Sequence, residues 1–177
     1  MSNLLKTCLG DEYEKLAPLI QVSHLGRTRL EGHADIQRGN PLAQILCLLT
    51  GMPRSAKNAR FVVEGDHLPE GMRWNRLING KAMNSWFALD KGLLVEKLGF
   101  IHMSMKLRVE ESALIYTIVK TKILGIPIPS FLAPRVEARE EQVGNDYVFQ
   151  VAVSLPLVGL LIKYAGVLTL VRQDHQL

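Results

Sequence analysis

The chain has 177 residues, 47% of them hydrophobic, which is long enough to bury one substantial core and short enough to read as a single domain over 1–177. A net charge of +4 and a pI near 9.2 arise from 21 basic residues interleaved with 17 acidic ones, so no basic stripe forms along the sequence and a nucleic-acid partner is not expected. The first thirty residues lack the basic start and unbroken apolar run of a secretory signal. The stretch 155–171 is short for a bilayer of about 30 Å and is broken by Pro156, Gly159, Lys163 and Gly166, so a cytoplasmic chain without a transmembrane segment is expected.

Leu4, Leu5, Cys8 and Leu9 recur at helical spacing after Ser2, and Gly10 is placed to end that turn. Asp11 stands where it would cap a second segment carrying Leu16, Leu19 and Ile20, with Pro18 arguing against one continuous helix. From Arg27 the period changes to two: Leu30, Gly32, Ala34 and Ile36 alternate with Arg29, Glu31, His33, Asp35 and Gln37, a strand with one solvated face. His33 and Asp35 share that face within reach of each other. The pair can orient an imidazole for acid-base chemistry, although a solvated surface pair is the simpler account. Asn40 as cap, Pro41 at the first helical position, and Gly51 then Pro53 past the end delimit a helix over about 41–50. Its Leu42, Ile45, Leu46 and Leu49 form the stripe expected to pack on a sheet. Cys8 and Cys47 both fall in apolar helical runs, where a free thiol behaves as a small hydrophobe and a reducing compartment fits.

Short strands with short links follow: 61–64, then 72–78 beyond a turn at 66–71, then 85–89 and 93–98. No helix long enough for a parallel crossover intervenes, so these should pair as an antiparallel meander. Met72, Trp74, Arg76 and Ile78 share one strand face, as do Leu94, Glu96 and Leu98, which sets a guanidinium and a carboxylate in apolar rows. A lone charge there costs several kcal/mol, so the economical inference is that Arg76 and Glu96 face one interior and meet. They would do so either as a structural pair that fixes register or as the polar element of a ligand cavity.

Ile101, Met103, Met105, Leu107 and Val109 then alternate with His102, Ser104, Lys106, Arg108 and Glu110, the most regular strand in the chain. Another strand covers 114–122. Pro127, Pro129 and Pro134 remove backbone donors from 125–134, so that segment cannot be a central strand and should cross an open end of the sheet. Val136 and Ala138 alternate with charges over 135–142, Gly144 to Asp146 make a hairpin turn, and Tyr147, Phe149, Val151 and Val153 form the return strand. The last segment turns at Pro156 and Gly159 and runs through Tyr164 to Val171. The expected fold is α+β: a long antiparallel β-meander over about 27–172, curled into a barrel-like sheet of about eight to ten strands, with the 41–50 helix and an N-terminal helical segment over about 3–24 packed on it.

Taken in order, Gly32-His-Ala-Asp-Ile-Gln-Arg-Gly39, Trp74-Asn-Arg76, Glu96-Lys-Leu-Gly99, Ile126-Pro-Ile-Pro129 with Leu132-Ala-Pro134, and Pro156-Leu-Val-Gly159 followed by Tyr164-Ala-Gly166-Val-Leu168 resemble the bacterial domain of unknown function family four-one-six-six. The resemblance covers nearly the whole chain. It implies a compact domain with no established activity, sometimes appended to a dehydrogenase-like nucleotide-binding polypeptide; this chain carries no glycine-rich phosphate loop of its own. Three functions fit. The first is a binding module for an apolar small molecule or lipid, with Trp74, Met103, Met105 and Tyr164 lining the curled sheet beside the polar Arg76 and Glu96. The second is an enzyme using Glu96, or His33 with Asp35, as its base. The third is an accessory domain for a dehydrogenase-like partner protein, as the resemblance implies. His24, His33, His67, His102 and His175 show no paired ligand spacing on one face, so neither a metal nor another cofactor is expected.

Overall fold

Period-two alternation becomes strand wherever the sequence carries it. In the computed structural model, which describes residues 3–68 and 70–174, the chain runs α1 (Leu4–Leu9), a 3-10 turn (Gly10–Lys15), α2 (Pro18–Ser23), β1 (Arg27–Arg38), α3 (Pro41–Leu49), β2 (Ala56–Leu68), β3 (Gly71–Ile78), β4 (Lys81–Asp90) and β5 (Leu93–Leu98). It continues through β6 (Ile101–Glu110), β7 (Ala113–Ile123), β8 (Ile126–Pro127), β9 (Arg135–Val143), β10 (Asp146–Leu155) and β11 (Gly159–Asp174). Ser2, Pro69 in the expected 66–71 turn, and His175 lie outside the described residues. β1 to β7 pair antiparallel in chain order, β9 joins β7, β10 and β11 follow, and β11 returns to β1. Ten strands thus close into a barrel, with β8 a two-residue pairing against the end of β7. Closure removes the free edges that an open meander of this length would leave. Register shifts in the β1–β11, β1–β2, β10–β11 and β6–β7 pairs supply the local coiling it needs. The α+β barrel-like reading is thus met.

Several boundaries differ from the sequence reading. β2 and β4 begin at Ala56 and Lys81, well before the apolar runs that mark them, because their polar first turns still pair backbone to backbone with β1 and β3. Asp11 caps nothing; it lies inside the 3-10 turn, and α2 starts at Pro18, which has no amide donor to lose at a first helical position. The cap of α1 is Asn3, whose side chain accepts from the Leu5 amide at 2.9 Å.

Because strands alternate in direction, the connections sort to two ends. At one end Leu5, Leu9, Tyr13, Leu16 and Ile20 of the N-terminal segment plug the barrel, pinned by the Ala17 amide donating to the Ser112 carbonyl and the Leu19 amide donating to the Gln142 side chain, both at 2.9 Å. At the other end lie α3, the proline segment 124–134 and the turns at 79–80, 99–100 and 156–158. α3 has the expected cap, with the Asn40 side chain accepting from the Ala43 amide at 3.0 Å, but the expected stripe is not the packed face. Ala43 and Cys47 are fully buried and Leu46 is half-buried, while Leu42, Ile45 and Leu49 are exposed. The small residues pack because α3 lies against the backbone of β11, close enough for the Cys47 thiol to donate to the Leu161 carbonyl at 3.5 Å.

The core fills one side of the barrel with aromatic rings. Phe61, Phe149 and Tyr164 meet at centroid distances of 5.0 to 6.2 Å, across β1 positions that carry only Gly32 and Ala34. At the same seam the backbones of β1 and β11 crowd together: a Cβ on Gly32 would lie 2.1 Å from the Val167 carbonyl oxygen. Neither backbone can yield without breaking the closing ladder. Gly32→Ala should therefore lower stability by about 2–3 kcal/mol in urea denaturation, despite the higher intrinsic strand preference of alanine.

Candidate functional site

A cavity of about 280 Å³ occupies the side of the barrel that the aromatic rings leave open. Its wall runs from Leu46, Ile128 and Leu132 at the mouth, past Met103, Met105 and Ile118, to Met72, Trp74 and His24 at the plugged end. Inward-facing alternate positions of β3 to β7 and β9 to β11 supply most of it, which is why it is apolar. Trp74, Arg76, Glu96, Met103, Met105 and Tyr164 all lie on this one wall.

Arg76 and Glu96 meet through Ser85, on the strand between them. Arg76 Nη1 donates to Ser85 Oγ at 2.9 Å, Ser85 Oγ donates to Glu96 Oε1 at 2.5 Å, and Arg76 Nη2 reaches the same oxygen at 3.3 Å. Their side chains are only 13% and 11% exposed, so the pair is internal. Burial works against the guanidinium charge, but the adjacent carboxylate outweighs it and holds the Arg76 pKa above its ordinary value.

A second polar cluster completes the inner end, and the sequence reading did not assemble it. His24, at the C-terminal cap of α2, stacks on Trp74 with ring centroids 4.9 Å apart and planes 6° from parallel, and its Nε2 donates to Glu140 Oε2 at 2.8 Å. Tyr116 donates its hydroxyl to the other oxygen of Glu140 at 3.0 Å. Burial alone would raise the Glu140 carboxyl, but His24 and the Tyr147 and Tyr116 hydroxyls together hold it below the usual carboxylate range. The carboxylate in turn keeps both phenols protonated: burial first, then Glu140, pushes Tyr116 and Tyr147 well above their ordinary values. His67 closes the group, edge-on to Trp74 at 6.2 Å, with Nδ1 donating to the Gly26 carbonyl at 2.8 Å.

Two polar atoms on the cavity wall, His24 Nδ1 and Thr121 Oγ1, are buried with no hydrogen-bond partner among the described residues. Buried polar atoms without partners are uncommon; His24 lies at the plugged end of the wall, and Thr121 lies near the mouth, where its carbonyl accepts from the Ile128 amide at 2.9 Å. His33 and Asp35 are elsewhere. Both are exposed on the outer face of β1, where Asp35 accepts from the Asn58 amide at 2.8 Å, so they do not converge with Glu96. Cys8 is inert as a thiolate, since burial pushes its thiol up to about 11. Among the described residues no group of three or more His, Cys, Asp or Glu is placed to hold a metal ion, and no helix is long and apolar enough to cross a membrane.

The crystal structure of Rv2717c from M. tuberculosis is similar to this chain with a TM-score of 0.47 and 13% identity, over 89% of this chain and 99% of that one. No curated protein matches the sequence. The model of the family described as Domain of unknown function (DUF4166) matches residues 16–168, nearly the full barrel with α2, and the chain belongs to that family.

Proposed function

We propose that the barrel binds an apolar small molecule or lipid whose inner end carries an uncharged hydrogen-bonding group. The observation that carries this reading is the cavity itself: about 280 Å³, close to the lower end of small-molecule sites at roughly 300–1,000 Å³, with an apolar wall and a few polar groups gathered at one end. Arg76 is matched by Glu96, and His24 donates to Glu140, so the polar groups leave no unpaired charge to attract a carboxylate or phosphate. At the inner end this leaves His24 Nδ1 without a partner among the described residues, which suits a hydroxyl, carbonyl or amide, while Thr121 Oγ1 stands unpartnered nearer the mouth. Met103 and Met105 add an adaptable surface along the apolar part.

The test is extraction. Protein purified from its source cells under native conditions, then denatured in organic solvent, should release one apolar compound in near-stoichiometric amount by mass spectrometry. Ile118→Trp, which fills the cavity from β7, should fold and release none. A wild-type protein that yields no such compound, or an Ile118→Trp variant that yields as much, would remove the reading.

A further inference from the structure

The end of the barrel opposite the N-terminal plug differs from the rest of the molecule in two independent ways. Ten of the fourteen exposed large hydrophobic residues among the described residues lie there, on α3 and on the turns that surround the cavity mouth. Leu49, Phe100, Leu124, Phe131 and Leu157 come from four separate connections, so no single neighbouring element could have covered them during folding. Leu157 is 99% exposed at the tip of its turn. Isolated surface leucines need no explanation, but a ring of them around one opening does.

Charge sorts in the same direction. No Asp or Glu occurs in 36–59, 71–89, 97–109, 113–136 or 147–173, the five stretches that contain every connection at this end. Exposed Arg54, Lys57, Lys81, Lys97, Lys122 and Arg135 stand just behind the apolar ring, and none has a carboxylate partner among the described residues. At the plugged end most cations are paired, as in Lys6 with Glu14, Lys15 with Glu12, Arg27 with Asp66 and Arg108 with Glu110, Lys91 being an exception among the described residues. Basic residues that read as scattered along the sequence are thus collected by the up-and-down topology onto one end of the barrel.

We propose that this end docks on an anionic phospholipid surface, with the apolar turns inserted among the acyl chains and the Lys and Arg ring at the headgroups. Shallow apolar insertion backed by basic residues is the combination that holds a peripheral protein on such a surface, and each cation contributes about as much as the insertion of one or two methylenes. A second copy of the chain is disfavoured on the same face, because it would bring one unpaired cationic ring against another. Nucleic acid would use the cations but leaves the leucines and phenylalanines without a role. Docked this way the cavity mouth faces the bilayer. The docking itself does not depend on the cavity being filled.

The full chain should float with vesicles of phosphatidylcholine doped with phosphatidylglycerol and remain behind with vesicles of phosphatidylcholine alone. Lys97→Glu with Lys122→Glu should lower partitioning roughly tenfold or more, and rising salt should do the same to the wild type. Phe131→Ser with Leu157→Ser, two fully surface changes, should abolish flotation while leaving far-ultraviolet circular dichroism unchanged. Failure of the folded wild type to float with anionic vesicles, or flotation insensitive to both the charge reversal and salt, would overturn the proposal. So would a concentration-dependent dimer in gel filtration that Phe131→Ser and Leu157→Ser dissolve, which would assign the face to self-association. Flotation by protein that releases no copurifying compound would leave the docking intact and count only against the cavity's ligand.

Discussion

Glu96→Gln and Arg76→Met should each lower the unfolding free energy by about 3–5 kcal/mol, and the double variant should lose much less than their sum. Each single change strands one charge, or its hydrogen-bonding partner, where water reaches little: 13% of the Arg76 side chain and 11% of the Glu96 side chain are exposed. Ser85 makes the coupling tighter, because it accepts from Arg76 and donates to Glu96 and so cannot rotate to serve one without losing the other. When both changes are made no buried charge is stranded: the glutamine amide keeps Ser85 as a partner, and the methionine suits its neighbours Met83, Phe87 and Tyr164. The measurement is a thermodynamic cycle by urea denaturation. Additive losses would show that the two side chains do not act as a unit. The same cycle separates structure from recognition: a stable double variant that still releases the copurifying compound would assign the pair to strand register alone.

That the two residues meet was legible because β-strand parity is a rigid rule. Positions 72, 74, 76 and 78 must share a face, as must 94, 96 and 98, and a charge in an apolar row needs its opposite. Parity likewise set Met103, Met105 and Tyr164 on the interior. Applied one strand further it would have set Glu140 there too, since Val136, Ala138, Glu140 and Gln142 are one alternating series on β9 and Glu140 breaks it as Glu96 breaks its own. Thr121 was beyond that rule: the register shift between Ser104 and Met105 leaves an extra residue on β7, which flips the series from Tyr116 and Ile118 to Thr121 and Ile123. His24 left no periodic signal at all. It follows the last turn of a short helix, and its partner is 116 residues away.

The helix α3 failed for a different physical reason. Amphipathic reasoning selects the stripe with the largest apolar side chains, whereas packing against a backbone selects the smallest, and here Ala43 and Cys47 face β11 while the leucines face out. The caps were correct because they are local. The orientation was not local, and the discrepancy is itself informative, since the displaced leucines belong to the exposed apolar ring at the cavity mouth.

Acid should destabilise the protein in two separable windows. Burial, helped by the neighbouring His24, depresses the His67 pKa from 6.5 to about 4, against the weaker pull of the Gly26 carbonyl and Asp66. The folded value lies below the unfolded one, so between pH 6.5 and about 4 the unfolded chain holds more protons than the folded chain and the unfolding free energy falls as the pH is lowered. A shift of this size corresponds to about 3 kcal/mol lost across that window. Glu140 acts lower down. Its folded pKa lies beneath the ordinary 4.5, so its contribution is complete at higher pH and disappears as the pH falls from about that value through the folded one. Denaturant titrations from pH 7 to pH 3.5 on three proteins resolve the two groups. His67→Gln should be less stable than wild type at pH 7 and nearly flat down to about pH 4.5, because the amide keeps a donor for the Gly26 carbonyl and has no proton to gain. Glu140→Gln should retain the wild-type slope between pH 6.5 and 4.5, and its deficit relative to wild type should shrink only below that, as the native carboxylate is itself neutralised. A His67→Gln variant that keeps the full slope between pH 6.5 and 4.5 would move the acid sensitivity to another buried group and detach it from the ring cluster of His24, His67 and Trp74.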